Sequence, residues 1–154
     1  MRERTLTSAT GAGPAVIVLD TNVVLDWLLF NDPSSNLFAV AIARREVRWA
    51  ASPAMRDELV EVLRRGLSAA RHANAASLLT AWDTHAAVLA EPPRLPATVP
   101  LNCSDPDDQK FLDLAHAAGA RWLLSRDRAV LRLARRAAAF GISITVPERW
   151  SFPT

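Results

Sequence analysis

The sequence predicts an α/β fold in which a parallel sheet is covered by helices on both faces. Three observations predict it. Val16-Ile17-Val18-Leu19 is apolar throughout and rich in β-branched residues, the pattern of a strand buried on both faces. The run stops at Asp20 and gives way to a new apolar-periodic segment, so the order is strand, acidic stop, helix start. Further along, short apolar runs alternate with helical patterns, which argues for parallel strands joined by helical crossovers.

Val23 to Phe30 reads as a short helix broken by Asn31-Asp32-Pro33-Ser34, and Leu37 to Arg44 as a second one. Val47 to Ala51 reads as the second strand. Ser52-Pro53 then opens a helix, Ser at the cap and Pro at the first helical position, running to Arg65 with Gly66 as its stop. The Ala-rich stretch Leu67 to Ala90 reads as one long helix or two short ones. Glu91 to Cys103 holds four of the ten prolines and reads as a connecting loop, with a short strand expected at Ala97 to Leu101. Ser104-Asp105-Pro106 opens a helix ending near Gly119, and Arg121 to Ser125 is a strand. Asp127 to Ala139 reads as one helix stopped by Gly141, and Ile142 to Val146 as the last strand before a Pro-containing tail.

The chain has 154 residues, the length of a single domain able to bury a full core. One cysteine, Cys103, excludes an internal disulfide framework and a Cys-based zinc site, and suits a reducing compartment. No stretch approaches the roughly 20 apolar residues of a membrane helix. Residues 1–14 carry arginines without an apolar core, so they read as a flexible tail and not a secretory signal. Net charge is +2, and Lys110 is the lone lysine among 18 basic residues. Arginine clusters suit phosphate contact, though taken alone they favour nucleic acid only weakly. His72, His85 and His116 have no ligand spacing. Trp27, Trp49, Trp82 and Trp122 read as core, while Trp150 and Phe152 could pack on the domain or on a second subunit.

Carboxylates carry the chemistry. In a parallel sheet the covering helices run antiparallel to the strands, so strand ends and helix starts share one edge, where ligands bind in such folds. Asp20 ends the first strand, and Asp127 follows the Trp122–Ser125 strand by two residues. At about 100° per residue, Met55, Leu59, Val62 and Leu63 form a buried stripe that Glu58 flanks. Asp57 and Glu61 face solvent. Asp108 falls inside the arc of Phe111, Leu112, Ala115 and Ala118, whereas Asp113 points away and Gln109 points to solvent. Asp105 is accounted for as an N-cap, and Asp107 as a first-turn acid favoured by the helix dipole. Four carboxylates on one edge repel unless a cation neutralises them, and all-oxygen ligands suit Mg²⁺ or Mn²⁺.

These residues resemble the PIN-domain ribonucleases. The matches are Leu19-Asp20-Thr21-Asn22, Ser52-Pro53 with Asp57-Glu58-Leu59 and Val62-Leu63, Asp105-Pro106-Asp107-Asp108 with Lys110-Phe111-Leu112, and Ser125-Arg126-Asp127. Their order spans Val16 to Pro147, and the likeness is greatest to the bacterial branch of toxins from toxin–antitoxin pairs. The resemblance implies a Rossmann-like parallel sheet in a nuclease domain over residues 15–154. It also implies a metal-dependent endoribonuclease acting on single-stranded RNA in the cytoplasm, with an antitoxin protein as partner, a homodimeric assembly and no membrane. Carried over by motif, Asp20, Glu58, Asp108 and Asp127 are the catalytic and metal-binding quartet, with Asn22 and Ser125 as polar supports. Related sequences often have a further acid where Gln109 stands. Arg126 and Arg128, flanking Asp127, are the phosphate-binding candidates.

Two other readings compete. A phosphatase with an aspartyl nucleophile wants a second acid two residues on, and Asn22 stands there. A catalytically silent PIN-fold module would bind RNA or an antitoxin without cleaving. Retention of all four acids weighs against it.

Overall fold

The computed structural model describes residues 13–66 and 72–152. The expected tail therefore lies almost wholly outside the described residues, as do Leu67 to Arg71 of the Ala-rich stretch. Five strands, β1 (Ala15–Leu19), β2 (Val47–Ala51), β3 (Ala87–Val88), β4 (Trp122–Leu124) and β5 (Ser143–Thr145), form one sheet in the order β3-β2-β1-β4-β5. Every pairing is parallel, with Ile17 opposite Trp49 on one side and Trp122 on the other. The chain builds outward from β1 through β2 and β3, then returns to place β4 on the opposite flank. That reversal between β1 and β4 opens a crevice at their carboxyl ends.

Helices α1 (Thr21–Leu28), α2 (Asn36–Ala43), α3 (Pro53–Gly66), α4 (His72–His85), α5 (Gln109–Ala117), α6 (Arg128–Leu131) and α7 (Ala134–Ala138) flank the sheet. Local chemistry fixes their starts. Ser52 is fully buried and its hydroxyl accepts the Met55 N–H, while Glu91, from the connecting loop, accepts the Ala54 N–H at 2.5 Å. At the far end of α5, Gly119 takes φ +63°, a left-handed turn that a side chain would strain.

Aromatic residues fill the core as their apolar surroundings predict. Trp49 meets Trp27 at 5.3 Å and Trp82 at 5.7 Å between ring centroids, edge-on or tilted. Trp150 is buried against Trp122 at 5.4 Å, so the tail packs on its own domain.

Three expectations are corrected. Ala87-Val88 is a strand, because the helix before it ends at His85 and the chain crosses to pair with Ala50-Ala51. Ala97 to Leu101 forms no strand. Val99 donates its N–H to Pro96 and Leu101 to Val99, so this segment buries Val99 and Leu101 through tight turns. The single helix expected over Asp127–Ala139 is two, α6 and α7, because Leu133 bonds back three residues to Val130 and tightens the chain at the junction.

Candidate metal centre

The crevice between β1 and β4 is built from two helix caps. Asp20 leaves β1 in extended conformation and caps α1, its Oδ1 accepting the N–H groups of Asn22 at 2.9 Å and Val23 at 3.3 Å. Asp127 does the same for α6, accepting the Ala129 N–H at 2.8 Å. Ser125 joins the two. Its buried hydroxyl donates to Asp20 Oδ2 at 2.5 Å and accepts the Asp127 N–H at 3.0 Å. Asp20 is 3% exposed, and burial pushes its carboxyl upward against the hydrogen bonds from Ser125, Val23 and Asn22.

The third contribution comes from the loop before α5. Pro106–Asp108 is a 3₁₀ turn, capped by Asp105, whose carboxylate accepts the Asp107 N–H at 3.0 Å. With three residues per turn, Asp105 and Asp108 sit one above the other. Asp105, Asp108 and Asp127 each bring a carboxylate oxygen within 4.8 Å of the others. Asp108 Oδ2 is buried with no hydrogen-bond partner. The Asp108 carboxyl is pushed up to about 7, first by burial, then by the charge of Asp127 and the close carboxyl–carboxyl contact with it, and then by the charges of Asp105 and Asp20. Three close carboxylates with an orphaned inner oxygen form a set of hard donors that a divalent cation would satisfy.

Of the four acids read from the sequence, Asp108 and Asp127 are brought together, and Asp20 lies within electrostatic reach of both. Glu58 is held to one side. Its Oε1 accepts the Thr21 hydroxyl at 2.7 Å and faces Lys110 Nζ at 3.2 Å. The fourth member of the gathering is Asp105, whose role as a cap does not account for its place beside Asp108 and Asp127. Asn22 supports Asp20 through its backbone N–H, and its side chain is exposed.

Gln109 does not point to solvent. Its amide donates to the Leu101 carbonyl at 2.9 Å and to Asp113, and its Oε1 accepts the Cys103 N–H at 2.7 Å. This clamps the proline-rich loop onto α5, beside the acids. Cys103 itself has its thiol pushed up by burial and by the neighbouring carboxylates, so it is a poor nucleophile.

The arginines flanking Asp127 differ. Arg126 is engaged by Asp26 at 2.8 Å, by both oxygens of Glu148, and by Ser34 at 2.9 Å. Arg128 is exposed at the start of α6 and has no acidic partner among the described residues.

The chain matches the PIN domain family model over residues 16–129, which takes in every acid of the crevice. The chain belongs to the PIN-domain family. In fold, this PIN domain is similar to VapBC2 from Rickettsia felis, crystallised bound to a DNA fragment from its promoter. That likeness has a TM-score of 0.58 and 15% identity, and covers 84% of this chain and 96% of that one. It is also similar to PAE2754 from Pyrobaculum aerophilum, with a TM-score of 0.53, 19% identity and 88% of each chain covered. No curated protein sequence matches it significantly. Among the described residues of the PIN domain, no helix is long and apolar enough to cross a membrane.

Proposed function

We propose that this PIN domain is a Mg²⁺- or Mn²⁺-dependent endoribonuclease that hydrolyses phosphodiester bonds of single-stranded RNA in the cytoplasm. Its role would be the toxin of a toxin–antitoxin pair. The observation that carries the reading is the convergence of Asp105, Asp108 and Asp127, each with a carboxylate oxygen within 4.8 Å of the others, together with an inner oxygen of Asp108 that is buried without a donor. Asp20 and Ser125 supply the support that such ligands need from behind, since a ligand's orientation is set by the groups bonded to it.

A divalent ion held there would lower the pKa of a bound water and stabilise charge on the attacked phosphate. The residues divide the remaining work. In this scheme Asp108 and Asp127 would bind the ion, Asp105 and Asp20 would complete the negative field around it, and Glu58, which bonds Thr21 and Lys110, would be the candidate base. Arg128 is the phosphate contact in this scheme, because Arg126 would have to abandon Asp26 and Glu148 to serve. The bacterial branch that the sequence resembles implies an antitoxin protein and a homodimer. The fold shared with VapBC2 is in keeping with work in such an assembly.

The test is incubation of the purified protein with a panel of single-stranded RNAs, with and without Mn²⁺, beside Asp20→Asn and Asp108→Asn. Cleavage that needs Mn²⁺ and vanishes in both folded variants supports the reading. A wild-type protein that binds Mn²⁺ and RNA but never cuts supports the silent module instead.

A further inference from the structure

Beyond the acidic crevice, the structure holds a second cleft at the opposite edge of the sheet. It has a volume of about 770 Å³ and is lined by Arg121, Trp122, Arg135, Gly141, Ser143 and Ser151, among others. Arg121 precedes β4 and Ser143 opens β5, so the cleft lies at the strands' amino ends, whereas Asp127 lies at their carboxyl ends. The Arg121 guanidinium sits over the Trp122 ring at 5.1 Å. Phe152, 39% exposed, packs against the same ring at 6.4 Å.

Helices α6 and α7 connect the two places. Val130, Leu133 and Ala137 are the buried face of this run. Arg128, Arg132, Arg135 and Arg136 recur at three- and four-residue spacing on its exposed face. None of these four, nor Arg121, has a carboxylate partner among the described residues. Arg56, Arg64, Arg65 and Arg126 are each paired with an acid, and Arg44, Arg45, Arg48, Arg94 and Arg149, which likewise lack one among the described residues, lie outside this run. Trp122 itself is buried and Phe152 is the exposed ring beside the cleft; unpaired arginines next to such a ring are what a single-stranded nucleic acid uses, phosphates on the guanidinium groups and a base on the ring.

We propose that the outer face of α6–α7 and the Arg121–Arg135 cleft form a track for the backbone of single-stranded RNA, leading from the acidic crevice to the far edge of the sheet. The track rests on the nuclease reading for its direction, because it starts at Arg128, next to Asp127. It makes binding depend on strand length. A strand of a few nucleotides fills the crevice alone, and a longer one also reaches the cleft.

The test measures fluorescence anisotropy of labelled RNAs of about 4 and about 15 nucleotides on the full chain in EDTA, across a salt series. The variants are Arg121→Gln/Arg135→Gln, Arg132→Gln/Arg135→Gln, which leaves Trp122 untouched, and the control Arg64→Gln/Arg65→Gln on α3, whose guanidinium groups are paired with Glu61. For the long RNA, each track variant should weaken binding about tenfold or more and lower the salt slope by about 1.4, two phosphate contacts at ~0.7 each. The short RNA should be unaffected in every variant, and the control should bind both RNAs as wild type does. Long-RNA binding unchanged in both track variants, or weakened equally in the control, overturns the track. A polyglutamate peptide that loses affinity in the track variants while RNA does not also overturns it, in favour of an acidic protein segment. Cleavage under Mn²⁺ is scored separately. Lost long-RNA binding without any wild-type cleavage keeps the track and sinks the nuclease reading, and cleavage with unchanged binding does the reverse.

Discussion

Ser125 and Asp20 are joined by a hydrogen bond although 105 positions separate them in sequence. The bond closes the switch point of the sheet, and the same hydroxyl holds the Asp127 N–H. Ser125→Ala leaves Asp20 Oδ2 buried without its donor, which costs about 1–3 kcal/mol. Urea denaturation should read that loss. Metal affinity should fall by roughly 10- to 100-fold through misplacement of Asp20 and Asp127. Unchanged stability and unchanged Mn²⁺ affinity in Ser125→Ala would remove this support from the account.

Asp108 makes stability depend on pH. Its folded carboxyl is pushed up to about 7 from an ordinary 3.8, so the folded state holds the proton more tightly than the unfolded one. The stability this contributes is fully present below the ordinary carboxylate value and is lost as pH rises through about 7. In chelator, melting temperature should drop between about pH 4 and about pH 7 and level off above that, and Mn²⁺ should restore it at the upper pH. Asp108→Asn should flatten the drop, raise the metal-free melting temperature at the upper pH, and abolish the Mn²⁺ effect. A chelated wild-type protein that melts higher at the upper pH contradicts this.

Arg126 is a brace in this structure. It ties α1 through Asp26, the turn after α1 through Ser34, and the last 3₁₀ turn through Glu148. Its side chain is 31% exposed, so screening reduces the worth of the network, and Arg126→Ala should cost roughly 1–2 kcal/mol. Lysine should not rescue it, because one ammonium cannot face three partners in a plane. Chemical denaturation measures both variants. RNA affinity in chelator should stay at the wild-type level for each.

Gln109 governs where the acids sit by clamping the Leu101–Cys103 backbone. Gln109→Glu places a carboxylate against the Leu101 carbonyl and Asp113, so it should destabilise by about 1–3 kcal/mol. Hydrogen exchange should speed up over residues 101–105, next to Asp105. Protection equal to wild type would show that the loop is held by other contacts.

Much of this was readable in the residues, and the misses share a cause. The run Val16–Leu19 ending in Asp20 gave both a central strand and its site residue, because a buried strand needs continuous apolar sequence and a cap needs an acceptor. Ser52-Pro53 marked a helix start for equally local reasons. Ala87-Val88 could not be seen, since two small residues at the end of an Ala-rich helix carry no period of their own. Their identity as a strand comes only from Ala50-Ala51 beside them. Asp105 was hidden by a sufficient local explanation. The 3₁₀ turn of Pro106–Asp108 aligns it with Asp108 more closely than the α-helical start the pattern suggested. Gln109 was misjudged in direction because its partners Leu101 and Cys103 are set by tertiary folding and leave no mark on a helical wheel; the acid partners of Arg126, Asp26 and Glu148, are just as invisible there.

The central claim is that Asp105, Asp108 and Asp127 are drawn together to hold one divalent ion. Anomalous diffraction from crystals grown with Mn²⁺ tests it most directly. The account predicts a peak in the crevice between β1 and β4, within bonding distance of Asp108 and Asp127 and absent from Asp108→Asn crystals. Full-occupancy Mn²⁺ bound elsewhere, with the crevice empty, would contradict it.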